Sequence, residues 1–160
     1  MNVFIVGAGP GDPELITVKG QKLLSEADVI IYAGSLVNPA LLDYAKAGCE
    51  IHNSASMTLP QVINVIEDSV KQGKMVVRLH TGDPSIYGAI QEQMDALDKL
   101  GIEYKVVPGV SSFLATAAAL KQEYTLPGIS QTVIITRNEC RTPAPDRGKR
   151  RSLAANQATM

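Results

Sequence analysis

Five short segments of this 160-residue chain carry residues that packing alone does not require. They are Gly7-Ala8-Gly9-Pro10-Gly11-Asp12, Ala33-Gly34-Ser35, Asn53-Ser54-Ala55-Ser56, Thr81-Gly82-Asp83-Pro84 and Pro108-Gly109-Val110-Ser111-Ser112. Glycine lets a ligand approach the backbone, and the hydroxyls and carboxylates supply directed hydrogen bonds. Any one segment is explained by turn chemistry, because a loop between strand and helix needs Gly, Pro, Asp or Ser for positive φ and for capping. All five together, each following a predicted strand, point to a binding rim at the carboxyl ends of a sheet.

The first loop resembles a dinucleotide turn only in outline. A third glycine is required where Asp12 stands, Pro10 removes an amide donor, and the second strand ends in Tyr32-Ala33-Gly34 without the acidic residue that would take a ribose. No phosphate-binding G-x-x-x-x-G-K-[ST] occurs. A ligand poor in phosphate fits better. The stretch from Leu79 to Gly88 combines an apolar wall with Asp83, Thr81 and Ser85, a composition suited to adenosine. Asp83 is equally suited to cap the next helix, with Pro84 in its first turn. His80, at a strand end, reads as a half-buried histidine and is assigned no chemistry. Cys49 and Cys140 stand 91 positions apart without neighbours at metal-ligand spacing, so neither a metal site nor a disulfide is expected.

The elements that must position these loops follow from periodicity. Apolar, β-rich runs at about 2–6, 28–32, 49–52, 74–80 and 103–107 alternate with segments of helical period, the pattern of a parallel sheet flanked by helices. Thr17 caps a predicted helix ending near Ala27, Asn38-Pro39 opens another, and Thr58 caps a third whose Leu59, Val62, Ile63, Ile66 and Val70 form one stripe. A fourth helix is predicted over about 87–100, closed by Gly101, and an Ala-rich one over 112–120. Thr132-Val133-Ile134-Ile135-Thr136 reads as a further strand, and 152–157 as a short helical stretch. The expected fold class is α/β, a five-stranded mainly parallel sheet over 1–110, followed by a linker helix and the incomplete start of a second α/β domain over 111–160.

Composition narrows the function classes. The formal charge of −1 divides into −5 over residues 1–136 and +4 over 137–160. The basic stretch lacks the interleaved aromatics of a nucleic-acid surface, so a solvated face or a polyanionic small molecule is expected in place of nucleic acid. No apolar run approaches the ~20 residues that span a bilayer, and no basic segment precedes the first apolar run, so no membrane partner and a cytoplasmic location are expected.

Five longer motifs carry a resemblance. GAGPGDPELIT at 7–17, ADVIIYAGSLV at 27–37, RLHTGDPSIYGA at 78–89, PGVSSFLATAAA at 108–119 and TVIITRNECRTP at 132–143 together resemble the S-adenosylmethionine-dependent tetrapyrrole methylases, over essentially the whole chain. AGSLV, LHTGDPSIYGA and TVIITRNECRTP are similar to the branch acting on precorrin-4 or cobalt-precorrin-4 at C11. The resemblance implies a two-domain methylase with S-adenosyl-L-methionine as donor and S-adenosyl-L-homocysteine as product, held in the cleft between domains. By position, Pro10, Thr81, Gly82, Asp83, Ile86, Ser111 and Ser112 match donor-binding segments, and Ser35 lies in the substrate-side motif. A tetrapyrrole substrate bears several carboxylates, for which Arg78, Arg137 and Arg141 are candidate partners, unless they pair with Glu139 or Asp83 or face solvent. Family members that use an acidic base after the second-strand tyrosine differ here, where Ala33 stands, so no general base is assigned. The resemblance also implies a chain cut short of a full second domain, and the basic, unfinished C-terminal segment leads to the expectation of a homodimer. The alternatives are a precorrin-2 or uroporphyrinogen methylase, a noncatalytic donor-binding fragment and, as a different class, a nucleotide-dependent oxidoreductase.

Overall fold

Runs of β-branched residues bounded by turn formers become strands, and the three central ones are buried on both faces. The structure is a computed structural model in which residues 2–136 are described. Five strands form its sheet: β1 (Val3–Gly7), β2 (Val29–Tyr32), β3 (Glu50–Asn53), β4 (Val76–His80) and β5 (Tyr104–Val107). Their order is β3-β2-β4-β1-β5, and every pairing is parallel. The helices are α1 (Val18–Glu26), α2 (Leu59–Lys71), α3 (Gln91–Lys99) and α4 (Ser112–Leu120).

Two apolar layers enclose the sheet. On one face Leu23 and Leu24 of α1, with Leu41, cover Val6, Ile30, Val77 and Leu79. On the other, Val62, Ile63 and Ile66 of α2 and Leu97 of α3 cover Val3, Val29, Ile31 and Val76. The alternation along β4 follows from the two-residue period of a strand, which sends Val77 and Leu79 to one layer and Val76, Arg78 and His80 to the other.

Caps mark where helices begin. Thr17 Oγ1 accepts the Gly20 amide at 3.0 Å to start α1. Thr58 and Gln61 make a reciprocal pair at α2: the Gln61 amide donates to Thr58 Oγ1, and the Thr58 amide donates to Gln61 Oε1 at 2.8 Å. Below the sheet, Asp28 joins three segments, accepting the Met75 amide at 2.7 Å and pairing with Lys46 at 2.7 Å. The Lys46 hydrogen bond holds the Asp28 carboxyl below its ordinary range.

Three sequence expectations change. The helix expected from Asn38-Pro39 is a 3-10 helix, Pro39–Tyr44, capped as foreseen by Asn38 through the Ala40 amide at 3.0 Å. The fourth helix starts at Gln91 rather than near 87, because Tyr87 and Ala89 adopt φ of 56° and 49°, which no right-handed helix accommodates. Of the strand expected at 132–136, outside the five-stranded sheet, the described residues show one bridge residue, Val133, and the helical stretch expected at 152–157 lies outside the described residues. The chain divides into two compact units, Met1–Ala115 and Thr116–Met160. In the second, Leu126 and Ser130 close a tight loop by exchanging two backbone hydrogen bonds of 2.8 and 3.0 Å.

Beneath α3 the apolar layer gives way to a polar trio. Arg78, His80 and Gln93 are 7%, 4% and 7% exposed. Burial pushes the His80 imidazole down to about 4, with the nearby Arg78 charge acting in the same direction. His80 is therefore neutral in the folded chain while its unfolded counterpart takes a proton near pH 6.5. Stability is full above that value and falls as pH drops towards 4, by ~3 kcal/mol over the window. Thermal melts between pH 7 and 4 are expected to show this slope in the parent and a flatter one in His80→Asn. Thr58→Ala is expected to lower unfolding free energy by about 1 kcal/mol in urea titrations at pH 7, through loss of the α2 cap.

Candidate functional site

Parallel order places the carboxyl ends of all five strands on one edge, and hydrogen bonds then link the five loops that follow. The connection after β1 runs leftward in the written strand order, across β4 to β2, on the α1 face. The one after β4 runs rightward, across β1 to β5, on the α3 face. Neighbouring strands whose connections part to opposite faces leave a crevice above them, the position at which open parallel sheets bind ligands.

At that junction the backbones meet directly. The Ala8 amide donates to His80 O at 2.6 Å, Gly82 N donates to Gly9 O at 2.8 Å, and Gly9 N returns to Gly82 O at 3.3 Å. The third member is Gly109. A methyl group there would lie 2.1 Å from Gly82 O and 2.8 Å from Gly7 Cα, so only glycine lets these turns close. Asp83 completes the tie: one carboxylate oxygen accepts the Ser85 amide at 2.8 Å, and the other accepts the Gly109 amide at 3.0 Å.

The remaining loops join from the other side. Asn38 Nδ2 donates to Gly11 O at 2.7 Å, fastening the second loop to the first. Ser54 Oγ donates to Tyr32 O at 3.0 Å, and Gly34 packs against Ala55, bringing in the third. The five segments thus form one chain of contacts along a single lip.

Of the expected donor-side residues, Pro10 and Thr81 are half-buried on this lip, Gly82 is buried at the junction, and Ile86 is 36% exposed. Ser111 is buried, and its carbonyl accepts the Leu114 and Ala115 amides at the start of α4, where Ser112 is exposed. Ser35 lies in the 3-10 turn Gly34–Leu36 of the second loop. Asp83 does not cap α3, whose first residue is eight positions further on; it is a brace between two loops.

Arg78 lies apart from this lip. Its guanidinium is beneath α3, donating from Nε to Gln93 Oε1 at 3.1 Å and from Nη1 to Ile31 O at 3.1 Å. Burial pushes it down to about 10, still charged at neutral pH. Among the described residues no carboxylate pairs with it, so the alternative of a pair with Asp83 is absent. Its place under a helix, rather than on the rim, follows from strand alternation. Arg137 and Arg141 lie outside the described residues.

Sequence reasoning missed Asn38 and Gly109 as ties between loops. The signals present were an Asn-Pro and a Pro-Gly pair, which announce turns without naming their partners. Among the described residues no three His, Cys, Asp or Glu side chains gather as a metal site. The lip offers backbone polar groups, hydroxyls, one braced carboxylate and an apolar side chain. Such an arrangement binds and orients.

Comparisons with known proteins agree with this architecture. A family model described as Tetrapyrrole (Corrin/Porphyrin) Methylases matches residues 2–160. The cobalt-precorrin-4 C(11)-methyltransferase of Methanocaldococcus jannaschii is 65% identical over 99% of this chain, which spans 61% of that relative. The solved structure of a cobalt precorrin-4 methyltransferase superposes with a TM-score of 0.92 at 52% identity, covering 96% of this chain and 64% of its own. A uroporphyrin-III C-methyl transferase from Thermus thermophilus, solved with S-adenosyl homocysteine, gives a TM-score of 0.71 at 34% identity over 83% of this chain and 57% of its own. The chain thus spans less than two thirds of these proteins. A family match along nearly the whole sequence, joined to the parallel sheet and its five linked loops, shows that this chain belongs to the tetrapyrrole (corrin/porphyrin) methylases.

Proposed function

We propose that this chain is the donor-binding part of an S-adenosylmethionine-dependent enzyme that methylates precorrin-4, or its cobalt form, at C11. The observation that carries the reading is the Gly7–Gly82–Gly109 junction at the point where connections part to opposite faces, within a sequence 65% identical to a cobalt-precorrin-4 C(11)-methyltransferase. That relative's name supports a cobalt-containing substrate.

The residues present fit a phosphate-free nucleoside. Asp12 would repel a pyrophosphate, and Pro10 withholds the amide that would hold one. Asp83 uses one lone pair of each oxygen on a backbone amide and keeps others for a ribose hydroxyl. Ile86 gives the adenine an apolar wall, while Pro10, Thr81, Gly82, Ser111 and Ser112 complete the donor side. The bound donor supplies an activated methyl on sulfonium, attacked in line by an electron-rich ring carbon. This chain's residues therefore contribute orientation, and no side-chain base is assigned to them. Ser35, with Arg137 and Arg141 through their fork-shaped guanidinium groups, belongs to the tetrapyrrole side. Arg78, being buried, is withdrawn from that role. The same reading carries a second α/β domain beginning near residue 111, a homodimeric assembly and a cytoplasmic location. Among the described residues no helix is long and apolar enough to cross a membrane.

Calorimetry with S-adenosylhomocysteine on the full-length protein is expected to show saturable binding, and its absence removes the reading. Mass spectrometry of the product is expected to show one added methyl, and its metal content separates the two substrates. Gly109→Ala is expected to destabilise the fold by about 1–3 kcal/mol, since a methyl must displace Gly82 O. It is also expected to weaken S-adenosylhomocysteine binding at least tenfold in the same titration.

A further inference from the structure

We propose that Gln93 is a positioning residue: its carboxamide, oriented by Arg78, pins the strained turn at Ala89 and thereby fixes the shape of the 81–90 loop that receives the donor. The inference rests on the donor-binding reading above and deepens it.

The orientation of the amide follows from hydrogen-bond chemistry. A guanidinium only donates, so the group facing Arg78 Nε at 3.1 Å is the Gln93 oxygen. The Gln93 NH2 must then point the other way. It donates to Ala89 O at 3.2 Å and lies 3.5 Å from His80 Nε2. His80 is neutral, and Nε2 accepts when the ring proton is on Nδ1. Each group in this buried set meets one of the opposite kind. The outer end of the set is a loop carbonyl.

That carbonyl belongs to a costly conformation. Tyr87 and Ala89 both have left-handed φ, flanking Gly88, and a methyl group on Gly88 would lie 2.2 Å from Pro84 O. The loop is folded back on itself in a shape that non-glycine residues adopt only when their surroundings hold them there. Asp83 braces its entry through Ser85 and Gly109. Gln93 braces its exit. Ile86, the apolar wall of the donor side, lies between the two braces. Buried Arg78, withdrawn from the substrate, instead fixes which way the Gln93 amide faces.

The test uses the full-length protein with two readouts, S-adenosylhomocysteine affinity and hydrogen exchange of the amides at 85–90, each recorded beside Tm. Gln93→Leu leaves the Arg78 Nε without an acceptor and is expected to lower Tm. Arg78→Met combined with Gln93→Leu removes both partners and is expected to recover most of that loss. Affinity in this double variant is nevertheless expected to stay roughly tenfold weaker than the parent, with faster exchange at 85–90, because the turn is no longer held. Adding Ala89→Gly, which makes left-handed φ free of cost, is expected to restore affinity to within about twofold and slow the exchange again. Affinity that simply follows Tm across the series, or no rescue by Ala89→Gly, overturns the proposal. If the parent does not bind S-adenosylhomocysteine, the functional reading falls, while the exchange data still decide whether Gln93 holds the turn.

Discussion

Everything on the upper edge of this sheet depends on three backbones occupying a space too small for one methyl group. Gly7 ends β1, Gly82 follows β4, and Gly109 follows β5; a methyl group on Gly7 or on Gly109 would lie 2.6 or 2.1 Å from Gly82 O, while Gly82 itself turns with a φ of 59°. Because β1 lies between β4 and β5 in the sheet, this contact fixes the relative height of three loops at once. The two backbone hydrogen bonds between Gly9 and Gly82, and the Asp83 brace to Gly109, are available only after that approach. Asn38 and Ser54 then extend the order to the far loops with one side-chain bond each. The rim is therefore built outward from its centre, and the energetic weight lies in steric fit rather than in charge.

A second constraint lies under α3, where a desolvated cation occupies the apolar layer. Burying an isolated charge is expensive, and the chain meets the cost with a neutral amide and a backbone carbonyl in place of a carboxylate. The arrangement keeps the guanidinium charged while excluding charge from its neighbour, since a protonated His80 beside Arg78 would add repulsion to desolvation. Polar groups of fixed direction in a core of Val, Ile and Leu give that layer a defined orientation, which apolar contacts alone do not supply.

Much of this is legible in the sequence. The five strands, the caps at Thr17, Asn38 and Thr58, and the placement of special residues after strands all follow from local chemistry, and local chemistry is what periodicity reports. The misses share a cause. By local pattern Asp83 is open between a cap and a ligand contact, and its actual role depends on Gly109, 26 positions away, which no local pattern contains. The helix start near 87 fails because left-handed φ at Tyr87 and Ala89 is held in place by Gln93 and by the loop's own packing. Arg78 looks like a substrate contact by residue type alone. Counting the two-residue period from the apolar Val77 and Leu79 puts it on the opposite face from them, beside His80, but does not reveal the glutamine that meets it there. Pro39–Tyr44, within the long connection 33–49 between β2 and β3, closes on bonds of the tighter kind, Leu41 N to Asn38 O and Ala45 N to Leu42 O, which an Asn-Pro cap signal does not distinguish from an α-helical start.

The two outer strands have a bearing on how copies of this unit meet. Both β3 and β5 are four residues long, and each carries charge at exposed positions, Glu50 on one and Lys105 on the other. A short, charged border is a poor template for another strand, since pairing would strip water from those groups without giving back a long ladder. Edge-to-edge growth into a continuous sheet, the usual route from an open parallel fold to insoluble aggregate, is thereby discouraged at both ends. The chain can leave its sheet open, with loops free to vary along one lip, because its margins are guarded by electrostatics rather than by closure.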